Sequence, residues 1–248
     1  MSRRVIASIE ARMGASRLPG KVLMDLAGRP ALGRMLDRVR QAETLDDIVI
    51  ATSTAPADDA VAAWAEAEGV TVHRGSEDNV LERVLQAHRF MDSDVIVELC
   101  GDCPLIDPGV IDIAVERFAQ GDCDIVTTTA PQSYPEGLDV EVFSRASLEV
   151  VAGDHGDDPE VREHVSIAFY RDRERWKLVS LRAPEELHRP EVRLLLDWPQ
   201  DVVILARLIG TLEAKFGPDF TTRDVLLAVD AMGVAPVARQ VDGSRTGH

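Results

Sequence analysis

Short apolar runs bounded by turn residues alternate along this chain with amphipathic helical patterns. Val5 to Ile9, Ile48 to Thr52, Val70 to His73, Val95 to Leu99, Ile125 to Thr128 and Val140 to Phe143 read as strands. Between them, apolar stripes recur at helical spacing: Leu32, Met35, Leu36 and Val39; Val80, Leu81, Val84 and Leu85; Val110, Ile111, Ala114, Val115 and Phe118. Pro56 and Pro108 fall where a first helical turn tolerates proline. This alternation predicts an α/β fold with a mainly parallel sheet covered on both faces. The pattern loosens between Ala130 and Leu187, where Asp154 to Asp158 reads as an exposed loop ahead of a helix from about Pro159 to Tyr170. Helical patterns return over Val202 to Leu212 and Val225 to Met232. With no internal repeat and no low-complexity linker, residues 1–233 read as one domain and 234–248 as a flexible tail.

The chemistry concentrates in one place. Arg12-Met-Gly-Ala-Ser-Arg-Leu-Pro-Gly-Lys21 directly follows the first strand, at the sheet edge where open α/β folds bind ligands. Its glycines permit close backbone approach, and its N–H groups and basic side chains suit a polyphosphate. The chain has three lysines, Lys21, Lys177 and Lys215, and one of them closes this loop. The spacing is not that of the ATPase P-loop, which needs four residues between its glycines and a Ser/Thr after the lysine. Here five residues separate Gly14 from Gly20, Val22 follows Lys21, and Pro19 removes a backbone donor.

Composition narrows the partners. The 248 residues are 45% apolar, enough for a sizeable core, and no run reaches the ~18 apolar residues of a membrane helix. The opening residues lack the apolar stretch of a signal peptide, so a cytoplasmic location is expected. A formal charge of −16 disfavours nucleic acid and anionic membrane surfaces. A triphosphate must therefore be held by local charge, since at a Debye length of about 8 Å distant carboxylates are largely screened.

The stretch Ile9 to Lys21 resembles the opening motif of the CMP-sugar-acid synthetases, most closely the SpsF-type cytidylyltransferases, with 3-deoxy-manno-octulosonate cytidylyltransferase more distant. Four further segments carry the resemblance: Gly101-Asp-Cys-Pro-Leu-Ile-Asp107, Tyr134-Pro-Glu-Gly-Leu-Asp-Val-Glu-Val-Phe143, Arg162-Glu-His-Val165 and Leu196-Asp-Trp-Pro-Gln-Asp201. Many relatives carry Gln where this chain has Glu10, a change near the nucleotide. Over roughly residues 3 to 233 the resemblance implies a Rossmann-like, GT-A-like nucleotidyltransferase, a three-layer sandwich with a dimerisation and acceptor-binding extension at about 130–187. It further implies a homodimer and transfer of CMP from CTP to a small acidic acceptor, a sugar acid or a phosphonate, with release of pyrophosphate. A different base, a sugar 1-phosphate acceptor and a non-catalytic nucleotide-binding module are the alternatives. Cys100 and Cys103 also permit a redox dithiol, but Asp102 and Pro104 between and after them already belong to the synthetase motif.

Roles follow residue by residue. Asp102, just beyond a strand, suits Mg²⁺, a hard ion that uses one or two carboxylates with water and phosphate oxygens. Asp197 resembles the second metal-binding aspartate, although it could instead cap the helix that follows; Asp107, before Pro108, reads as a cap. Arg17 and Lys21 are expected to hold the triphosphate, making Arg17, Lys21, Asp102 and Asp197 the catalytic set. Ala11, Arg12, Met13 and Gly14 are expected to contact the nucleotide, and Ser76 to approach the base or ribose unless it caps a helix. Arg162 and His164 are the candidate acceptor residues, His164 also as a proton acceptor. Asp139 and Glu141 share one face by period-2 alternation and are placed with the acceptor, at least one of them paired to an arginine. An acceptor hydroxyl would need a general base, whereas a phosphonate oxygen is already anionic.

Overall fold

A computed structural model of the protein describes residues 3–233; the expected tail, 234–248, lies outside them. A seven-stranded sheet forms the middle layer: β1 Val5–Glu10, β2 Asp47–Ser53, β3 Thr71–Gly75, β4 Val95–Cys100, β5 Ile125–Thr127, β6 Glu141–Ser144 and β7 Leu178–Ser180, in the order β3-β2-β1-β4-β6-β5-β7. Strands β3, β2, β1 and β4 run parallel, and β6 is antiparallel to both β4 and β5. The helices are α1 Ala31–Val39, α2 Asp59–Ala67, α3 Val80–Phe90, α4 Pro108–Ala119, α5 Arg145–His155, α6 Pro159–Glu163, α7 Ile167–Arg171, α8 Pro199–Phe216 and α9 Thr222–Met232.

Strand alternation divides the interior into two cores. Ala7, Ile9, Ile50, Val97 and Leu99 pack with Leu32 and Met35 of α1, Ile111 of α4, Leu205 and Leu208 of α8 and Val225 of α9. Ile6, Val49, Ile96 and Phe143 face the other way, against Leu81 and Val84 of α3, Leu148 of α5 and Phe169 of α7. The three-layer α/β arrangement is the one the sequence implied. Burying a side chain of this size contributes about 1.5–3 kcal/mol, so the two faces together hold the sheet.

Several boundaries differ from the sequence pattern. β7 was not foreseen, because its apolar run is only two residues, Leu178 and Val179, and all three of its positions are half-buried. The expected helix over 159–170 is two short helices, since His164 leaves helical geometry at φ −122°, ψ 93°. The expected loop 154–158 is shorter, because α5 continues through His155. Asp107 caps α4 as expected, accepting from the Gly109 and Val110 amides at 2.8 and 3.3 Å. Ser76 does not cap α3; Asn79 does, accepting from Glu82 N at 2.9 Å.

The ligand-bearing edge is sealed by backbone contacts. Gly101 N donates to Glu10 O at 2.9 Å, joining the ends of β1 and β4. A Cβ on Gly101 would lie 2.5 Å from that same carbonyl. Gly101→Ala is therefore expected to force the strand ends apart and cost about 1–3 kcal/mol. Chemical denaturation measures it, and a change under about 0.5 kcal/mol would show that the edge yields without strain.

Candidate active site

The loop after β1 folds back on itself before it presents its cations. Gly20 N donates to Met13 O at 2.9 Å, and Gly20 sits at φ +74°, a left-handed conformation that suits glycine. The turn delivers Lys21 into the sheet edge. Met13 N is held at 2.6 Å by Asp58 Oδ1, a buried carboxylate that also accepts from Ser53 Oγ. Loop, β1 and β2 are thereby fixed as one unit.

Opposite the loop, residues 192–197 are carried in by hydrogen bonds rather than by a regular strand. Leu194 N donates to Glu136 O at 2.7 Å and Leu196 N to Asp102 O at 2.9 Å. Gly137, at φ +100°, allows this close pass: its Cβ would be 3.0 Å from the Leu194 carbonyl carbon. Asp197 is delivered beside Asp102 by this route. It is not the cap of α8; Asp201, in the first turn of α8, accepts from the Asp197 and Trp198 amides at 2.9 and 2.8 Å.

Lys21 closes the centre. Its Nζ lies 2.6 Å from Asp102 Oδ2 and 2.6 Å from Asp197 Oδ1. Arg17 Nη2 reaches Asp197 Oδ2 at 2.6 Å, and its guanidinium lies 5.6 Å from the Trp198 ring centre. Arg193 adds a contact to Asp197 at 3.1 Å and one to Asp201 at 2.9 Å. Burial alone would lower the Lys21 pKa, but the adjoining aspartates outweigh it and raise it. Burial also opposes ionisation of Asp197, yet Lys21, Arg17 and Arg193 hold its carboxyl below the usual range. Arg193 and Asp201 were not singled out from the sequence. Asp201 stood inside a quoted motif, whereas nothing marked Arg193.

Arg17, Lys21, Asp102 and Asp197 line a cavity of about 280 Å³ together with Glu10, Ala11, Arg12, Arg83, Cys100, Glu163 and His164. The structure thus gathers Ala11, Arg12, Arg17, Lys21, Asp102, Asp197 and His164 as expected, and leaves others aside. Met13 and Gly14 belong to the loop but not to the cavity lining. Ser76 is exposed outside it, its Oγ accepting from Asn79 N at 3.1 Å. Arg162 points away, donating to Gly156 O at 2.6 Å and Asp157 Oδ1 at 2.8 Å, so it secures the turn that carries Glu163 and His164. Asp139 accepts from Gln132 at 3.1 Å, and Glu141 from Tyr170. Among the described residues neither has the expected arginine partner; each accepts from an uncharged donor instead.

The sequence pointed to Glu10 and Glu141 separately, but not to Glu98 or to their meeting. Glu10, Glu98 and Glu141 stand side by side on adjacent strands, Glu98 paired in register with Glu141. Burial is the main cause that raises the pKa of all three, and for Glu98 the neighbouring carboxyls push it further. The signal was Glu98 itself, a charge inside the buried run Val95 to Leu99. Cys100 and Cys103 are free thiols, and burial pushes Cys103 well above its ordinary value, contrary to what a redox dithiol needs.

Residues 6–214 match the family described as Cytidylyltransferase. The chain belongs to that family. The cytidylyltransferase is 31% identical over 243 residues to the spore coat polysaccharide biosynthesis protein SpsF of Bacillus subtilis, covering 96% of this chain and 99% of that protein. It is 39% identical over 159 residues to a 3-deoxy-manno-octulosonate cytidylyltransferase of Anaeromyxobacter sp., covering 62% of this chain and 61% of that protein. A cytidylyltransferase structure from Leptospira borgpetersenii superposes with a TM-score of 0.87 at 28% identity, covering 97% and 99% of the two chains. The protein is a CTP-dependent nucleotidyltransferase, and the cavity at the β1–β4 edge is its candidate active site. Among the described residues no helix is long and apolar enough to cross a membrane.

Asp139 gives this edge a pH signature. Burial pushes its carboxyl up to about 6, against about 3.9 in an unfolded chain. Between those values the folded protein binds more protons than the unfolded chain, so stability falls as pH rises. Asp139→Asn is expected to gain over the parent across pH 4 to 6, by on the order of 2 kcal/mol, and then level off. Denaturant unfolding at several pH values measures the difference, and a pH-independent one would refute the assignment.

Proposed function

We propose that this enzyme transfers CMP from CTP to a small acidic acceptor, a sugar acid or a phosphonate, and releases pyrophosphate. The observation that carries the reading is the meeting of Arg17 and Lys21 with Asp102 and Asp197 at one point of the cavity. The acceptor class is supported by the names of the SpsF and 3-deoxy-manno-octulosonate relatives. In the transfer an acceptor oxygen attacks the α-phosphorus, the bond to the bridging oxygen breaks, and pyrophosphate leaves with those electrons. Such reactions depend mainly on positioning and on neutralising developing charge.

The donor set fits a divalent cation such as Mg²⁺. Two hard carboxylates from separate segments converge on one cation position, taken here by the Lys21 ammonium, which stands where a metal's charge would be. Among the described residues no group of three or more His, Cys, Asp or Glu gathers to hold a metal. A metal here would therefore rest on Asp102, Asp197, water and phosphate oxygens, a usual set for Mg²⁺. When bound, it would supply positive charge to the phosphate oxygens.

The chain's own residues do the rest. Arg12 and Arg17 bind the triphosphate, and Lys21 turns from the aspartates to a phosphate oxygen. Ala11 brings backbone to the nucleotide. His164, exposed at the cavity wall, orients the acceptor and takes its proton when the attacking group is a hydroxyl. Residues 130–187, which carry Asp139, Glu141 and His164, form the acceptor side.

Asp102→Asn and Asp197→Asn are each expected to fold and to lose at least about 100-fold in kcat, since each removes a charge that faces the reacting phosphate. Arg162→Ala should leave CTP binding unchanged. It should also cost less than the roughly 10-fold at which loss of a direct charged contact begins. Titration with CTP, then acceptor kinetics at saturating CTP and metal, separates these effects. Near-normal turnover of both aspartate variants would refute the metal assignment, and a 10- to 150-fold loss in Arg162→Ala would return that side chain to the acceptor.

A further inference from the structure

The active-site cavity is lined by cations and by a buried acidic cluster. Arg12, Arg17 and Lys21 line it with Asp102 and Asp197, and Glu10 lines it too, with Glu98 and Glu141 on the neighbouring strands. An acceptor with only an acid group has no use for that cluster.

The carboxyls there are not an ordinary set of ion pairs. Glu98 is 8% exposed, and its Oε2, like Glu10 Oε1, is buried with no donor among the described residues. Glu10 and Glu98 are within hydrogen-bonding reach of each other, so only a shared proton or an added cation can join them. Glu141 is engaged by Tyr170 and Ser166. Arg83 and His164 face Glu10 without an ion pair to it, and Arg83 Nη1 is committed to the Ser76 and Glu77 carbonyls at 2.7 and 3.4 Å. Its Nε, also buried, has no partner among the described residues. A buried carboxylate left without a counter-charge is costly, and the cluster opens to solvent through Glu10 into the cavity.

We infer that the acceptor carries a cationic amine beside its acid group, and that Glu10, backed by Glu98 and Glu141, is the subsite for that ammonium. The assignment rests on the proposed transfer to an acidic acceptor. The acid end of such a molecule faces the metal and arginine side, while its ammonium meets Glu10 and displaces the proton shared with Glu98. A zwitterionic acceptor would then match both the cations and the acidic cluster of the cavity. An amino-sugar acid and an aminoalkylphosphonate share this chemistry.

The test is calorimetry on the enzyme saturated with CTP and Ca²⁺, which hold the site without fast turnover. Two matched pairs serve as probes. One is an aminoalkylphosphonate against the hydroxyalkylphosphonate of equal length; the other is an amino-sugar acid against its N-acetyl form. In at least one pair the amine should bind at least about 10-fold more tightly, the contribution of one charge-assisted hydrogen bond. It should also release protons, seen as a heat that varies with buffer ionisation enthalpy, and the pair that responds identifies the source. Glu98→Gln and Glu10→Gln should each shrink the preference to under about 3-fold and abolish the proton release, with CTP affinity kept. If neither amine binds better than its counterpart, or the preference survives both substitutions, the subsite is wrong. Tight amine binding without CMP transfer under Mg²⁺ would instead count against the acceptor reading while leaving the ammonium subsite standing.

Discussion

Two carboxylates from distant parts of the chain, Asp102 and Asp197, are held together by one ammonium, Lys21. Their like charges would otherwise drive the segments apart, since burial strengthens repulsion as much as attraction. The Lys21 contacts therefore decide the shape of the cavity mouth. The loop 11–20 must fold back to deliver Lys21, and residues 192–197 must run along Glu136 and Asp102 to deliver Asp197. Gly101 and Gly137 supply the room for those two close approaches.

This arrangement also reconciles an acidic protein with an anionic substrate. The formal charge of −16 is a property of the whole chain, whereas the cavity mouth collects Arg12, Arg17 and Lys21, with Arg193 behind Asp197. Screening leaves the near charges in control. In the absence of substrate the cations are occupied by the aspartates, so the site is close to neutral and stable. In the proposed transfer a metal–triphosphate would exchange partners, the aspartates holding the metal and the cations the phosphates. Neither set of charges is left buried and unpaired, which keeps the exchange inexpensive.

The sheet brings two parts of the chain to the cavity. Parallel strands β1 and β4 end beside Arg12, Arg17, Lys21 and Asp102, at the edge where open α/β sheets bind ligands. The antiparallel strand β6 adds Glu141 on the far side of β4 and brings the 130–187 segment to the same edge. Reversal of this one strand sets the 130–187 segment beside the loop after β1, so Glu163 and His164 line the same cavity as Arg17 and Lys21.

The sequence alone determined the layers, the basic loop after β1 and most of the residues at the cavity. Strand and helix periodicity is local, so Leu81 or Val97 declares its environment through its neighbours, and Lys21 and Asp102 stand in motifs that read without a structure. Tertiary structure decided everything that depends on side-chain direction and distant pairing. It turned Arg162 outward, set Ser76 outside the cavity, joined Lys21 to Asp197 across 176 positions of chain, and brought in Arg193. It also stacked Glu10, Glu98 and Glu141 on three adjacent strands, which the linear chain keeps 43 to 131 residues apart. Spacing fixes which face a residue occupies, but only strand order and register decide which charges share that face.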